Sequence, residues 1–175
     1  QRLDFLLTGV AKRFGLRYSR YADDITFSSM HNVFQPDNDF LKELHRIISE
    51  QGFHINETKT RLQKRGYRQE VTGLLVNEKA NVQKRYIKQI RMWLYFWERY
   101  GYEKASSFFL KQYKAEKGQV KKGMPDMANV IGGKLDYLKM VKGGDNGLYL
   151  KLKKRSDVLL KKEIHETIIA QPKVK

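Results

Sequence analysis

The sequence predicts an α+β protein in which two β-hairpins with packed helices are followed by an all-α bundle. Three observations indicate this class. Apolar residues alternate with polar ones on both sides of a short acidic turn in residues 16–28, and a second, weaker alternation with glycines occupies residues 60–77. Beyond residue 79 the apolar spacing is mostly helical. We therefore expect two domains, residues 1–78 and 79–175.

Two helices are predicted in the first domain. Residues 2–14 carry apolar side chains at helical spacing, namely Leu3, Leu6, Leu7, Val10 and Phe14. A second helix, capped by Asp37 or Asn38, is expected to continue to Gln51. A short strand over residues 53–55 is expected to follow it.

The central feature of the first domain is the predicted hairpin around Ala22-Asp23-Asp24. The flanking stretches alternate with a period of two, and the segment between them fits only a tight turn. Two adjacent carboxylates would then lie at the tip of a rigid ribbon. Their mutual repulsion favours a bound cation, and oxygen ligands without a nearby His or Cys suit Mg²⁺ or Mn²⁺. The alternative interpretation is an exposed Asx turn with no ligand.

A second hairpin is predicted after residue 60. Its first strand is expected over residues 61–64, its turn at Arg65-Gly66 and its return strand over Gln69 to Val76. Gly73 within the return strand would permit close approach of another backbone, or is an ordinary bulge glycine.

The second domain is predicted to be a helix bundle. Helices are expected over residues 83–100, 103–116, 126–141 and 148–160. Their aromatic stripes are interpreted as bundle core rather than as base-stacking surfaces. Lys84, Lys88 and Arg91 fall at i, i+4 and i+7, a spacing that suits phosphates along one groove of a duplex, although a solvated helix face has the same pattern.

Composition narrows the functional classes. The net charge of +16 is asymmetric, because residues 1–78 hold 12 basic and 10 acidic side chains whereas residues 79–175 hold 23 and 9. This excess favours nucleic acid as the partner over a membrane, since no helix is basic on one face and has a bare apolar face on the other. Without cysteine, disulfides and zinc-thiolate sites are excluded. The absence of a long apolar run or signal pattern predicts a cytoplasmic protein.

The Tyr-x-Asp-Asp pattern at Tyr21 to Asp24, with its strand–turn–strand context, closely resembles the catalytic hairpin of reverse transcriptases. This resemblance implies that Asp23 and Asp24 are catalytic and bind Mg²⁺ (or Mn²⁺), and that Tyr21 contacts nucleic acid. The run from Gly52 to Thr60 also resembles the family. It implies that Lys59 approaches the phosphates of the incoming dNTP, although an exposed loop lysine is an equally open alternative.

The run Val71 to Asn77 resembles the Val-Thr-Gly signature of bacterial retron reverse transcriptases, and the pattern from Tyr86 to Leu94 is similar to theirs. The resemblance implies a partial polymerase palm, then a basic thumb. The hairpin containing Val71, Thr72 and Gly73 would support the primer, and Lys84, Lys88 and Arg91 would bind the RNA–DNA duplex. It further implies a structured noncoding RNA as template and a possible effector protein in phage defence, in a bacterial cytoplasm.

In this family a third metal-binding aspartate and the fingers lie N-terminal to the first helix found here. Only Asp4 precedes the hairpin, and it lies on a predicted helix. We therefore expect the chain to be the C-terminal part of a polymerase that is inactive without its N-terminal fingers and palm. Two alternatives remain: a group II intron, diversity-generating or abortive-infection reverse transcriptase, or a non-catalytic RNA-binding module.

Overall fold

A computed structural model describes residues 2–36, 38–117 and 123–170. The predicted α+β class is confirmed, with six helices and two small antiparallel hairpins in the described part of the chain. The elements are α1 (Arg2–Arg13), β1 (Arg17–Tyr21), β2 (Asp24–Ser28), α2 (Asp39–Glu50), β3 (Glu70–Val71), β4 (Leu74–Leu75), α3 (Lys84–Tyr100), α4 (Tyr102–Lys117), α5 (Met127–Lys142) and α6 (Gly147–Ala170). They form two compact units, Gln1–Asn77 and Glu78–Lys175.

Both helices of the first unit follow the predicted pattern. α1 buries Leu3, Leu7 and Val10 along one face. α2 is capped by Asn38, whose side-chain oxygen accepts a hydrogen bond from the Phe40 backbone N–H at 2.9 Å. The other predicted cap, Asp37, lies outside the described residues.

An aromatic chain anchors the first hairpin to these helices. Tyr18 pairs with Phe27 across the strands, and their rings lie 5.4 Å apart. Phe27 meets Phe40 of α2 edge-on at 5.1 Å, and Phe40 meets Phe14 at 5.6 Å. Because aromatic burial and edge-to-face geometry both favour this arrangement, the inner face of β1 and β2 is fixed on the core formed by α1 and α2.

Two strand predictions were wrong. Residues 53–55 form no strand, and no described segment pairs with them in a ladder. The second hairpin is much shorter than predicted and lies wholly inside the expected return strand. Val71 pairs with Leu74, and the turn consists of Thr72 and Gly73 rather than Arg65 and Gly66.

The reason for the second error lies in backbone conformation. Thr72 and Gly73 have φ angles of 47° and 84°, and positive φ at both central residues is the type I′ turn that closes a two-residue hairpin. A β-branched residue such as Thr is strongly disfavoured in that region, so the local sequence favours a strand there instead. Arg65 and Gly66 still form a hydrogen-bonded turn, in which the Tyr67 N–H donates to the Lys64 carbonyl at 3.2 Å.

The second unit confirms the four predicted helices and their core. Trp93 and Phe109 are buried and meet edge-on at 4.9 Å between α3 and α4. At Trp93 and Phe109 the aromatic side chains therefore belong to the core of the bundle, as predicted, and are not base-stacking surfaces. α6 extends ten residues beyond the predicted end at Leu160, and an i, i+4 pair between Lys162 and Glu166 lies in that extension.

The fold predicts a large effect for one aromatic substitution. Replacing Phe40 with Ala removes a ring that is 3% exposed and contacts two others. We expect the free energy of unfolding of the first unit to fall by roughly 3–5 kcal/mol. Hydrogen exchange of the α1 and α2 amides, followed by mass spectrometry, measures this change. Phe5→Ala is the matched control, because Phe5 is 80% exposed; equal acceleration by both variants would contradict the assigned core.

Candidate functional site

The first hairpin carries its two carboxylates at an exposed tip. Tyr21 pairs with Asp24 across the strands, so the connection consists of Ala22 and Asp23 alone. The sequence had predicted that Asp24 belongs to the turn. In the structure Asp24 is instead the first residue of β2. Asp23 and Asp24 are both exposed, and Tyr21 beside them is 73% exposed. Neighbouring acidic oxygens are thus accessible to a ligand from solvent.

The turn itself is strained. Ala22 has φ 52°, in a region that L-residues other than Gly, Asn and Asp rarely occupy. Its carbonyl accepts a hydrogen bond from Arg20 Nη1 at 3.1 Å. Surrounding contacts must stabilise such a conformation, which costs roughly 1–3 kcal/mol, and residues of this kind concentrate at functional sites.

Asp4 and Arg20 form the main polar contact between the helix and the hairpin. Arg20 Nε and Nη2 donate to the two Asp4 carboxylate oxygens at 2.7 and 2.8 Å, and the Tyr18 hydroxyl donates to Asp4 Oδ1 at 2.8 Å. These bonds, led by the one from Arg20, lower the pKa of Asp4. Burial, with the bond to Asp4, raises the pKa of Tyr18 to about 12.

Sequence reasoning missed this role of Asp4, although a signal was present. Strand alternation places Arg20 on the same face as Tyr18, towards the core, where a guanidinium requires an anionic partner. From the sequence, Asp4 is weighed only against the third metal-binding aspartate, and is set aside because it lies on a predicted helix. The bidentate bond to Arg20 gives it a structural role instead.

The donor chemistry at the tip fits part of a Mg²⁺ site. Mg²⁺ takes oxygen ligands and commonly uses one or two carboxylates together with water and substrate phosphates. Asp23 and Asp24 supply two such carboxylates. Among the described side chains, no group of three or more His, Asp or Glu is arranged to hold a metal ion.

Lys59 lies on a turn organised by Asn56. The Asn56 carbonyl accepts hydrogen bonds from the backbone N–H groups of Lys59 and Thr60 at 3.1 and 3.0 Å. The Asn56 side-chain oxygen accepts from the Thr58 hydroxyl at 2.7 Å. The turn leaves Lys59 exposed.

The predicted primer-supporting residues lie at the tip of the second hairpin. Val71 is half-buried, whereas Thr72 and Gly73 are exposed in the type I′ turn. Ala22 and Thr72 are the two non-glycine residues with positive φ in the part of the chain that the structure describes. Each lies at the tip of a hairpin, next to or among residues for which the sequence predicts a function.

Three basic residues of α3 follow one another at helical spacing along its exposed surface. Lys84, Lys88 and Arg91 are all exposed, and Tyr95, four residues further, continues the line with 53% exposure. Ile87, Ile90 and Trp93 of the same helix are buried. No ion pair to these three cations is present among the described residues. This stripe is an accessible cationic surface.

The exposed Tyr-x-Asp-Asp hairpin resembles that of reverse transcriptases. Sequence comparison shows which reverse transcriptases the chain is similar to. The chain is 45% identical over 80 residues to the retron Mx65 reverse transcriptase of Myxococcus xanthus, a match covering 43% of this chain and 17% of that protein. The retron Mx162 reverse transcriptase of the same organism is 38% identical over 84 residues, with the same two coverages. The predicted resemblance to bacterial retron reverse transcriptases is thereby confirmed.

A third relative is the retron Ec86 reverse transcriptase of Escherichia coli, which is 39% identical over 93 residues. That match covers 51% of this chain and 28% of the relative, so the chain spans between about a sixth and a little over a quarter of the length of these proteins. No protein-family model matches the chain. No solved structure matches it either. In the described part of the chain, no helix has the length and apolar character needed to span a membrane.

The ion pair between helix and hairpin predicts a defined pH dependence. Because the fold lowers the pKa of Asp4 from its usual 3.8, the ionised carboxylate stabilises the native state above that value. The stabilisation is lost as pH falls from 3.8 towards the lower folded-state pKa. Asp4→Asn should remove this component, so its stability should change less with acid than that of the unsubstituted chain.

Hydrogen exchange of the β1 and β2 amides between pH 5 and pH 2.5, corrected for intrinsic exchange, measures the difference. Asp39→Asn is the control, since Asp39 is exposed and has no ion pair with a described residue. An identical acid response in Asp4→Asn and in the unsubstituted chain would contradict the assigned contact.

Proposed function

We propose that this chain is the catalytic-hairpin and primer-duplex-binding part of a bacterial retron-type reverse transcriptase, an RNA-directed DNA polymerase. One observation carries the proposal: Asp23 and Asp24 are exposed side by side at the tip of a hairpin whose inner face is fixed to the core. The similarity to three retron reverse transcriptases supports the same conclusion from sequence.

In this proposal Asp23 and Asp24 would supply part of a site for two Mg²⁺ ions, or Mn²⁺ in their place. When bound, such ions would polarise the attacking primer hydroxyl and neutralise charge on the phosphates of the dNTP. The contribution of this chain is positional. The Arg20 bond to the Ala22 carbonyl keeps the tip in its strained shape, and the exposed Lys59 supplies positive charge for the leaving phosphates.

The remaining roles concern nucleic acid. Tyr21 would contact the primer terminus beside the two aspartates. The exposed tip formed by Thr72 and Gly73, with Val71 beneath it, would support the primer backbone, because a glycine there lets a phosphate approach closely. Lys84, Lys88 and Arg91 would bind phosphates of the RNA–DNA duplex, and the template would be a structured noncoding RNA.

We further propose that polymerisation requires polymerase parts beyond those in this chain. Two aspartates at one turn rarely hold two metal ions, and Asp4 is engaged by Arg20. The three relatives described above are retron enzymes, which favours this class over group II intron, diversity-generating and abortive-infection enzymes. The second candidate function is a non-catalytic RNA-binding module. It is favoured by the lack of a three-carboxylate cluster among the described residues.

The two candidate functions predict different effects of one substitution, Asp23→Asn, on DNA synthesis. In the full-length protein that contains this chain, Asp23→Asn should lower DNA synthesis on its RNA template by roughly a thousandfold, because metal polarisation contributes several kcal/mol to the barrier. Incorporation of labelled dNTP measures the rate.

Asp39→Asn, at an exposed aspartate on α2, is the control and should leave synthesis unchanged. RNA binding should persist in both variants. Undiminished synthesis by Asp23→Asn would instead favour the non-catalytic module.

The α3 stripe predicts a salt effect on duplex binding. Replacing Lys84, Lys88 and Arg91 with Ala should make the slope of log K against log salt shallower by about 2–3, since each phosphate contact contributes roughly 0.9. Fluorescence anisotropy with a labelled RNA–DNA duplex measures the slope. The charge-matched control replaces the exposed Lys104, Lys111 and Lys114 of α4. If both triple variants change the salt slope equally, the duplex is attracted by the overall positive charge and not by a specific stripe on α3.

A further inference from the structure

A concave surface lies in the first unit, on the loop that leads into β3 of the second hairpin. Residues between 61 and 70 line an open groove of about 600 Å³, among them Arg61, Leu62, Lys64, Tyr67 and Arg68. Its volume is within the range of roughly 300–1,000 Å³ that is usual for small-ligand sites. No residue with a role proposed above lines it.

The chemistry of this groove combines positive charge with an exposed aromatic ring. The Tyr67 side chain is 74% exposed, and Leu62 beside it is 42% exposed. Arg61 and Lys64 are exposed and form no ion pair with a described residue, whereas Arg68 pairs with Glu70 at 2.5 Å. Accessible cations beside an unburied ring are the pattern of surfaces that bind single-stranded nucleic acid by stacking and phosphate contact.

The loop is also held in shape by its own polar side chains. The Gln63 amide donates to the Glu70 carbonyl at 2.8 Å and accepts from the Glu70 N–H, so it replaces a strand partner. Asn77 donates to the Tyr67 carbonyl at 2.6 Å and accepts from the Gln69 N–H at 3.0 Å. A groove that is already ordered loses less entropy when a ligand binds.

We propose that this groove is a second nucleic-acid site, which binds a single strand by stacking a base on Tyr67 and its phosphates on Arg61 and Lys64. A duplex fits this chemistry poorly, because its bases are already stacked on one another and cannot lie on the ring. An acidic peptide could use the cations but not the stacking surface. The proposal does not require polymerase activity, so failure of the Asp23→Asn experiment leaves it standing.

The test uses the whole 175-residue chain and fluorescence anisotropy with labelled oligoadenylate RNA, the same sequence as DNA, and a blunt RNA duplex. Tyr67→Ala should weaken single-strand binding by roughly 5- to 150-fold, since stacking contributes about 1–3 kcal/mol per base. Tyr67→Phe should retain the affinity within about twofold, because the ring and its stacking surface remain.

Tyr100→Ala is the control, at a tyrosine that is 50% exposed in the second unit, and it should change nothing. Replacing Arg61 and Lys64 with Ala should make the salt slope shallower by about 1.4, because each single-strand contact contributes roughly 0.7. If RNA binds more tightly than DNA, the groove is a site for single-stranded RNA. If the two bind equally, it is a site for single-stranded nucleic acid of either kind. The proposal fails if Tyr67→Ala binds as tightly as the unsubstituted chain, or if poly-glutamate displaces the strand as well as unlabelled RNA does.

Discussion

The hydrogen-bonded ion pair between Asp4 and Arg20 is the contact on which the candidate catalytic site depends. It joins the first turn of α1 to the strand that leads into the acidic tip, and the same guanidinium also bonds to the Ala22 carbonyl. A bidentate arginine–carboxylate pair fixes orientation as well as distance. The position of Asp23 and Asp24 therefore depends on Asp4, which lies in the first turn of the preceding helix.

The hairpin needs this support because a two-stranded ribbon is only marginally stable by itself in water. Its inner face gains stability from the aromatic contacts of Tyr18, Phe27 and Phe40. Its tip contains a strained alanine, and that strain persists only where the surroundings fix the conformation. Core packing and the polar bond act together, and the result is a rigid ribbon that exposes two like charges. Such an arrangement favours a ligand cation over an internal partner.

The sequence predicted those elements whose position is determined by local patterns of residues. Period-two alternation located β1 and β2, and helical spacing with Asn38 and glycine boundaries located the helices within one or two residues, except for the far end of α6. It failed where tertiary contacts decide. Val71 to Val76 has the composition of a strand, but Thr72 adopts an unfavourable positive φ and turns the chain. The bond of Asp4 to Arg20 could not be found from periodicity, because it joins residues of two different elements. The chemical role proposed for the tip comes from its Tyr-x-Asp-Asp pattern, because a fold alone does not determine function.

The central claim is that Asp23 and Asp24 together form the metal-binding part of a polymerase site. Nuclear magnetic resonance of the isotope-labelled chain, titrated with Mn²⁺ at substoichiometric concentration, tests it most directly, because the ion broadens amide signals close to where it binds. We predict that the signals of Ala22 to Ile25 broaden first, and that excess Mg²⁺ restores them. Equal broadening at other exposed acidic residues such as Asp39 and Asp136, or an unaffected hairpin tip, would contradict the account.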